Sequence, residues 1–143
     1  MDHESYPDRY LRDILTSVRT IAVVGASPRR ERPSHRVMAY LQRRGYRTIP
    51  VNPNAVGDAI NGETVYARLA DVPEPIDMVD VFRRPEFCPP HSREAVEVGA
   101  RSLWLQLGIR SDESRRIAEA GGLAYVEDAC TAALHARHLA HGS

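Results

Sequence analysis

The stretch that decides the fold is TIAVVGAS, from Thr20 to Ser27, which continues as PRRERPSHRVMAYLQRRG over residues 28–45. Its β-branched and small apolar residues predict a buried strand, Gly25 predicts a turn, and the apolar spacing after Pro33 predicts a helix that stops at Gly45. Many α/β proteins hold phosphate on such a unit, because the turn amides and the positive end of the helix dipole face the same point. The stretch therefore predicts an α/β fold with an anion site after its first strand.

The rest of the chain repeats this alternation of strand-like and helix-like segments. Further strands are predicted at residues 46–51, 76–82, 102–107 and 123–126, and helices at about residues 7–18, 33–44, 89–99, 111–120 and 129–139. Residues 52–71 are rich in Asn, Gly, Pro and Asp, so they predict a loop with one helical turn near residues 66–70.

The predicted strands are mostly apolar on both faces, which is typical of a parallel sheet covered by helices on each side. We predict an α/β fold: a single Rossmann-like, doubly wound parallel sheet of about five strands in the order 3-2-1-4-5. Residues 1–19 are expected to form a helix that packs on this domain, and residues 20–143 to form the domain itself.

The composition restricts the classes of function. The 143-residue chain has 19 basic and 19 acidic residues, so its charge does not indicate a nucleic acid or a membrane surface as partner. Every basic residue is an arginine, which excludes a Walker lysine and a Schiff-base lysine. Cys88 and Cys130 lack the spacing of a zinc site or a disulfide framework, and the charged N-terminus lacks a signal peptide's apolar segment. We expect a cytoplasmic protein without a metal.

The turn after the first strand is the strongest candidate for ligand binding. Ligands bind beyond the carboxyl ends of the strands in open parallel sheets, and Gly25, Ala26, Ser27 and Pro28 lie there. Glycine lets a phosphate approach the backbone, and Ser27 adds a hydroxyl donor. The alternative is that the glycine only shapes the turn and the serine only caps the helix.

Arginines surround this predicted site. Four of them lie within eight residues: Arg29, Arg30, Arg32 and Arg36. Guanidinium groups bind phosphate through paired hydrogen bonds, so at least one of Arg29, Arg30 and Arg32 is expected to contact a ligand phosphate. The alternative is an ordinary solvated face. Arg83 and Arg84 end the third strand at the same edge, where one is expected to meet the ligand and the other to pair with a carboxylate.

The end of the second strand discriminates between nucleotides. NAD-binding folds usually place Asp or Glu there to hold the ribose hydroxyls. This chain has Asn52, Pro53 and Asn54 instead, which argues against NAD and suits an adenosine that carries an additional phosphate. Asn52 and Pro53 are candidates to line the adenine side, and a proline-stiffened turn is the alternative.

No nucleophile stands beside a base at this edge, and no catalytic motif is present, so we predict no catalytic residue. Glu127 and Asp128 follow the fifth strand, where an acid could act, although Asp128 would serve equally well as a helix cap. Cys130 begins the last predicted helix, whose dipole would lower a thiol pKa, and a buried, inert cysteine is the alternative.

Several segments together resemble the small stand-alone CoA-binding proteins, whose domain is related to the CoA-binding domain of the succinyl-CoA synthetase α subunit. The resemblance covers residues 20–139 and is carried by IAVVGAS with SPRRERPSHRV, GYRTIPVNP, GETVYARLADVPEP, IDMVDVFRRPE and SLWLQLG. It implies a Rossmann-like fold and coenzyme A or an acyl-CoA as the ligand.

The resemblance also implies where each part of the ligand would lie. The pyrophosphate would rest on Gly25, Ala26 and Ser27, with Arg29, Arg30 or both near the phosphates. Asn52 and Pro53 would flank the adenosine. The nucleotide or pantetheine arm would run along Val81, Phe82 and Arg83. Gln106 and Gly108 would face its route to the thiol.

Two departures from the family bear on function. The synthetase subunit carries a second domain with a phosphorylated histidine, for which this chain has no room, so no intrinsic ligase activity is expected. The last helix of the family often begins with an arginine before the cysteine, where this chain has Ala129 before Cys130. Three functions stay open: a CoA-binding carrier, sensor or regulatory module; a small acyl-CoA-processing or redox enzyme that uses Cys130 or Asp128; and a ligand-dependent interaction module with a protein partner or a second copy of the chain.

Overall fold

The computed structural model describes residues 2–139. Five α-helices lie within them, α1 (Asp8–Ser17), α2 (Pro33–Arg43), α3 (Cys88–Glu97), α4 (Asp112–Ala120) and α5 (Thr131–His138). The strands of the same region are β1 (Thr20–Val24), β2 (Arg47–Val51), β3 (Ala59–Ile60), β4 (Glu63–Thr64), β5 (Met78–Val81), β6 (Ser102–Leu105) and β7 (Ala124–Val126). Residue 1 and residues 140–143, which the predicted domain limits include, lie outside the described residues.

Five of these strands form one parallel sheet in the order β2-β1-β5-β6-β7. The α/β class and the five-stranded, Rossmann-like parallel sheet are therefore confirmed. The predicted order 3-2-1-4-5 is wrong, because the third long strand, β5, pairs with β1 rather than with β2. In the numbering of that prediction the observed order is 2-1-3-4-5, the other common arrangement of doubly wound sheets.

Hydrogen bonds at both ends of β5 fix it beside β1, and at its far end the Phe82 amide donates to the Val24 carbonyl. Asp77, just before β5, accepts hydrogen bonds at its carboxylate from the Arg19 and Thr20 amides and donates its own amide to the Thr20 carbonyl. The edge of β2 that β5 would have taken is covered by Tyr66, whose carbonyl accepts from the Asn52 amide. Right-handed crossovers allow both orders, so apolar strand patterns could not decide between them.

The segment between β2 and β5 is more ordered than the sequence predicts. β3 and β4 form a short antiparallel hairpin, and a single 3₁₀ turn lies at Leu69–Asp71 instead of near residues 66–70. Two-residue strands leave too few positions for an apolar pattern to show.

Helices cover both faces of the sheet, each over its own core. On one face α1, α2 and α5 pack around Trp104, Met38 and Leu15. On the other, α3 and α4 pack around Leu103 and Tyr125. Successive strand residues point to opposite faces, so each buried strand contributes to both cores.

The N-terminal segment packs on the first of these cores and covers the outer edge of β7. Leu11, Ile14 and Leu15 of α1 are buried there. The Tyr10 hydroxyl donates to the Tyr125 carbonyl at 2.8 Å and accepts from the Tyr125 amide at 2.9 Å. Side-chain hydroxyls thus replace a neighbouring strand, which removes an exposed edge. Within residues 2–139 no helix has the length and apolar character to cross a membrane.

Candidate functional site

A cleft of about 1090 Å³ opens at the carboxyl ends of β1, β2, β5 and β6. Its walls are the turn after β1 with the start of α2, the loop after β2, the turn after β5, residues 106–109 and the start of α5. The chain leaves β1 and β5 toward opposite sides of the sheet, so the cleft lies where such sheets bind ligands. In the predicted order 3-2-1-4-5 this switch would lie between the first and fourth long strands. In the observed order it lies between the first and third.

The structure brings most of the predicted ligand residues to this cleft. Those that line it are Gly25, Ser27, Pro28, Arg29, Arg32, Asn52, Phe82, Arg83, Gln106 and Gly108. Four others do not line it: Ala26 and Val81 are buried, Pro53 is exposed outside the lining, and Arg30 lies in an adjoining hollow of about 720 Å³. Arg36 lines both the cleft and the hollow, which Arg43 also lines.

Gly25 is required by the packing of the strand ends. Its φ of +83° is left-handed, and a Cβ placed there would lie 2.6 Å from the Phe82 carbonyl oxygen. Its amide donates to the Val51 carbonyl at 2.9 Å, so it is already engaged. Gly25 therefore shapes the turn, and any phosphate contact falls to the residues that follow it.

The turn after Gly25 is held in place from two sides. The Ser27 amide donates to the Ser34 hydroxyl at 3.1 Å, and the Ser27 hydroxyl accepts from the Arg29 amide at 3.1 Å. From β2, the Asn52 side-chain amide donates to the Ala26 carbonyl at 2.8 Å. The Ser27 hydroxyl proton stays free to donate, and no side chain caps the start of α2 within the described chain.

Five arginines line the cleft, three on the α2 side and two after β5: Arg29, Arg32, Arg36, Arg83 and Arg84. No Asp or Glu stands among the residues of the described chain that line it. The cleft is therefore strongly positive in a chain whose formal net charge is zero. Closely spaced cations at a concave surface favour an anion with several charges.

The two arginines after β5 lie over an aromatic ring instead of beside a carboxylate of the described chain. The guanidinium carbons of Arg83 and Arg84 lie 4.7 and 5.5 Å from the centre of the Phe87 ring. Neither arginine pairs with a carboxylate among residues 2–139, so the expected ion pair is wrong. Phe87 is 41% exposed and was not predicted from the sequence, because a single aromatic residue six positions after the end of β5 carries no periodic signal.

A buried hydrogen-bond network forms part of the floor. Gln106 lines the cleft, and its amide nitrogen donates to Asp80 Oδ1 at 2.5 Å and to the Thr131 hydroxyl at 2.9 Å. The Thr131 hydroxyl donates to Asp80 Oδ2 at 3.1 Å. Burial raises the pKa of Asp80 to about 7. Asp80 was not predicted from the sequence, although a carboxylate inside the apolar run MVDVF was the available signal.

The acidic corner after β7 serves the fold rather than the cleft. Glu127 and Asp128 both pair with Arg110, at 3.3 and 2.8 Å, and Asp128 accepts from the Gly108 amide at 2.6 Å. Asp128 does not cap α5, whose N-terminal flanking residue is Cys130. Cys130 itself lines the cleft. Cys88 is buried, which raises the pKa of its thiol to about 11 and leaves it unreactive.

Comparisons with known proteins point to one family. The model of a family described as the CoA binding domain matches residues 19–136. The uncharacterized protein YneT of Bacillus subtilis (strain 168) is 36% identical over 126 residues, which are 88% of this chain and 92% of YneT. A Thermus thermophilus protein solved as cell-free ID.343 is 39% identical with a TM-score of 0.89, over 94% of this chain and 100% of that one.

A larger enzyme shares the fold. Acetyl-coenzyme A synthetase 1 of Ca. Korarchaeum cryptofilum matches 76% of this chain with 26% of its own length, at 22% identity and a TM-score of 0.66.

Proposed function

The chain belongs to the CoA-binding domain family, and on that premise we propose that it binds coenzyme A or an acyl-CoA in the arginine-lined cleft. The observation that carries the proposal is the set of five arginines without a carboxylate among the described lining residues. CoA carries a pyrophosphate and a 3′-phosphate, a total of roughly four negative charges at neutral pH. Guanidinium groups on two walls suit two separate phosphate groups.

The phosphates would lie between the turn after β1 and the arginines. In this pose the pyrophosphate meets the Ser27 hydroxyl and the uncapped start of α2, with Arg29 and Arg32 on one side and Arg83 on the other. The adjoining hollow, with Arg30 and Arg43, offers cations for the 3′-phosphate. Helix starts and arginine forks are the usual phosphate ligands of α/β proteins.

The adenosine would lie toward the loop after β2. Asn54 lines the cleft there, next to Asn52, whose side chain holds the turn. No carboxylate of the described lining can accept the ribose hydroxyls as in NAD sites, which favours a phosphorylated ribose. Pro53 is exposed beside this loop and would at most flank the ring.

The pantetheine arm would follow the apolar part of the lining. Phe82 and Ile109 line the cleft with Leu107, which is 70% exposed. Covering an exposed apolar side chain favours binding by about 25 cal/mol for each Å² that leaves water. The thiol would end near Gly108, Ala132 and Cys130.

We place the protein among carriers, sensors or regulatory modules rather than ligases. The carboxylates nearest the cleft are engaged elsewhere, since Glu127 and Asp128 pair with Arg110 and Asp80 is buried. Both cysteines are free thiols, which fits the cytoplasmic location expected from the sequence. The proposed contacts with CoA are all non-covalent, as a binding role requires.

Calorimetric titration of the purified protein with CoA, 3′-dephospho-CoA and NAD tests the proposal. We expect binding in the order CoA, then dephospho-CoA, with NAD weakest or absent. Arg83→Gln should weaken CoA binding about tenfold, as expected for one charge-assisted contact. Arg116→Gln, an exposed arginine of α4 away from the cleft, is the matched control and should bind as the wild type. Tighter binding of NAD than of CoA would overturn the ligand assignment.

A second candidate, acyl-CoA chemistry, is favoured by the position of Cys130 on the cleft lining. Its thiolate would attack the thioester carbonyl, the CoA thiolate would leave, and an acyl-cysteine would form. Intact-mass measurement after incubation with acetyl-CoA would show one acetyl group, absent in Cys130→Ser. An unmodified wild-type protein would exclude this candidate and leave the binding proposal standing.

A further inference from the structure

We propose that Asp80, acting through Gln106, fixes the hydrogen-bonding polarity of the inner cleft, so that the bound ligand presents a donor such as a pantetheine amide to the Gln106 carbonyl oxygen. The inference rests on the proposed function, because it concerns the ligand arm in the same cleft. It assigns Asp80 as a positioning residue that does not itself touch the ligand.

Asp80 occupies the centre of the sheet without a counter-ion. It is fully buried in β5, between Val23 of β1 and Trp104 of β6 in the strand register. Across residues 2–139 no cation pairs with its carboxylate. A buried carboxylate without a cation is costly unless hydrogen bonds compensate for the lost hydration. Gln106 and Thr131 supply those bonds.

The direction of each hydrogen bond in this network follows from Asp80. An ionised carboxylate only accepts hydrogen bonds, so Gln106 must turn its amide nitrogen inward and Thr131 must donate its proton. The Thr131 oxygen then accepts the second Gln106 proton. Both amide protons of Gln106 are therefore used below the surface. The carbonyl oxygen is the atom that Gln106 can present to the cleft, where it accepts but cannot donate.

Protonation of Asp80 removes this constraint. The neutral acid can donate a hydrogen bond to Gln106, which allows the side-chain amide to rotate and to present its nitrogen to the cleft. Because burial raises the pKa of Asp80 to about 7, both states are populated near neutral pH. Above pH 7 the ionised Asp80 holds the Gln106 carbonyl oxygen toward the cleft, which favours a ligand that donates a hydrogen bond there. Below pH 7 the neutral Asp80 no longer holds Gln106 in that orientation.

The other titratable groups around Asp80 can be separated from it. β1 and β6 place Val23 and Trp104 beside it, and neither titrates. Cys130 flanks the start of α5 next to Thr131, and His135 lies one turn further along that helix. Arg83 lies two residues after the end of β5. Burial lowers the pKa of His135, which moves its titration away from the compared range of pH 6.5 to 8. Cys130→Ser tests the thiol directly.

The experiment measures the affinity of wild type, Asp80→Asn and Gln106→Leu for two probes at pH 6.5 and pH 8. The probes are CoA and 3′-phosphoadenosine 5′-diphosphate, which is CoA without its pantetheine arm. At pH 8 Gln106→Leu should bind CoA about tenfold and Asp80→Asn about threefold more weakly, the range of one net hydrogen bond. Both losses should shrink at pH 6.5. The arm-free probe should bind all three proteins equally at each pH.

Comparison with the variants at each pH cancels the titration of the ligand's own phosphates. Cys130→Ser should keep the wild-type pH dependence. If the variants lost equal affinity for both probes, or if their loss of affinity for CoA did not depend on pH, Asp80 would have only a structural role. Either result would overturn the inference. If Asp80→Asn does not fold, the pH dependence of Gln106→Leu relative to wild type decides. If the wild-type protein binds both probes with equal affinity, only this inference is overturned. If it binds neither probe, the proposed function is overturned as well.

Discussion

Two groups of arginines lie around the same sheet and differ in their partners. Those that tie peripheral segments together bind carboxylates: Arg47 pairs with Glu63 and Glu74, Arg101 with Asp77, and Arg110 with Glu4, Glu127 and Asp128. Those that line the cleft have no carboxylate partner in the part of the chain that the structure describes.

The difference separates structural from ligand-binding positive charge. Arg110 satisfies Glu127, a carboxylate that is 6% exposed, so removal of Arg110 would leave a buried charge unpaired. Arg29, Arg32 and Arg83 satisfy no such group, and their mutual repulsion is relieved only by an added anion. Within residues 2–139, isolated arginines such as Arg12 on α1 also lack a carboxylate partner, but they are not gathered at one concave surface.

The largest effect is expected from loss of two cleft arginines on opposite walls. Arg32→Gln combined with Arg83→Gln should raise the Kd for CoA about 100-fold, since charge-assisted contacts contribute roughly 1.5–3 kcal/mol each. The Tm without ligand should change little, because no carboxylate among residues 2–139 loses a partner and Arg84 still lies over the Phe87 ring when Arg83 is replaced. Titration calorimetry and thermal unfolding measure the two quantities, with Arg12→Gln and Arg116→Gln combined as the control. A fall in Tm with unchanged Kd would place these arginines in the structural group.

The next effect concerns Asp77 and Asp80, of which only Asp77 has an arginine partner in the described chain. Burial alone would raise the pKa of Asp77, but the Thr20 and Arg19 amides and Arg101 hold it below its usual value. Burial without a cation raises the pKa of Asp80 to about 7. Asp77 therefore stabilises the fold at high pH and loses this contribution as the pH falls. The contribution of Asp80 is present at low pH and is lost as the pH rises toward 7.

Asp80→Asn should accordingly gain stability relative to wild type between pH 5 and pH 8. The expected change in the difference between their free energies of unfolding is about 2 kcal/mol. Asp77→Asn should show the opposite trend toward acid pH. Urea unfolding at several pH values measures both. A pH-independent difference for Asp80→Asn would mean that Asp80 keeps an ordinary carboxylate pKa in the folded protein.

A smaller effect is expected from loss of Arg110, which should lower stability and leave CoA binding nearly unchanged. Arg110→Gln should lower the Tm by a few degrees, because Glu127 loses its cation, while the Kd for CoA stays within about twofold of wild type. Thermal unfolding and titration under the same conditions compare the two groups directly. Weakened CoA binding with an unchanged Tm would contradict the separation.

The smallest effect is the response to salt. Added NaCl between 50 and 300 mM should weaken CoA binding several-fold in wild type, since exposed guanidinium–phosphate contacts are screened. The dependence should be flatter in the double variant. Identical salt dependence in both proteins would show that the cleft arginines do not meet the phosphates.

The sequence allowed the elements to be predicted better than their arrangement. Apolar runs and glycine stops located the five long strands and the helices within a few residues, and the match to residues 19–136 confirms the family resemblance. The side of β1 on which β5 lies depends on contacts such as those of Asp77 with Thr20, which no local pattern contains.

For the candidate site as well, local sequence features could be predicted and contacts between distant residues could not. Residues at the ends of strands were predicted to meet, and ten of them line the cleft. Val81 points to the α3 and α4 side because strand residues alternate, and Ala26 turns inward under the loop. Asp80 escaped notice because its role depends on Thr131, 51 positions away in the chain.

Native mass spectrometry of the wild-type protein with equimolar CoA and NAD tests the central claim most directly. We predict one bound CoA per chain and no retained NAD, with the CoA adduct lost in the Arg32→Gln, Arg83→Gln double variant. Retention of NAD in preference to CoA, or an adduct that is equally abundant in the double variant, would contradict the account.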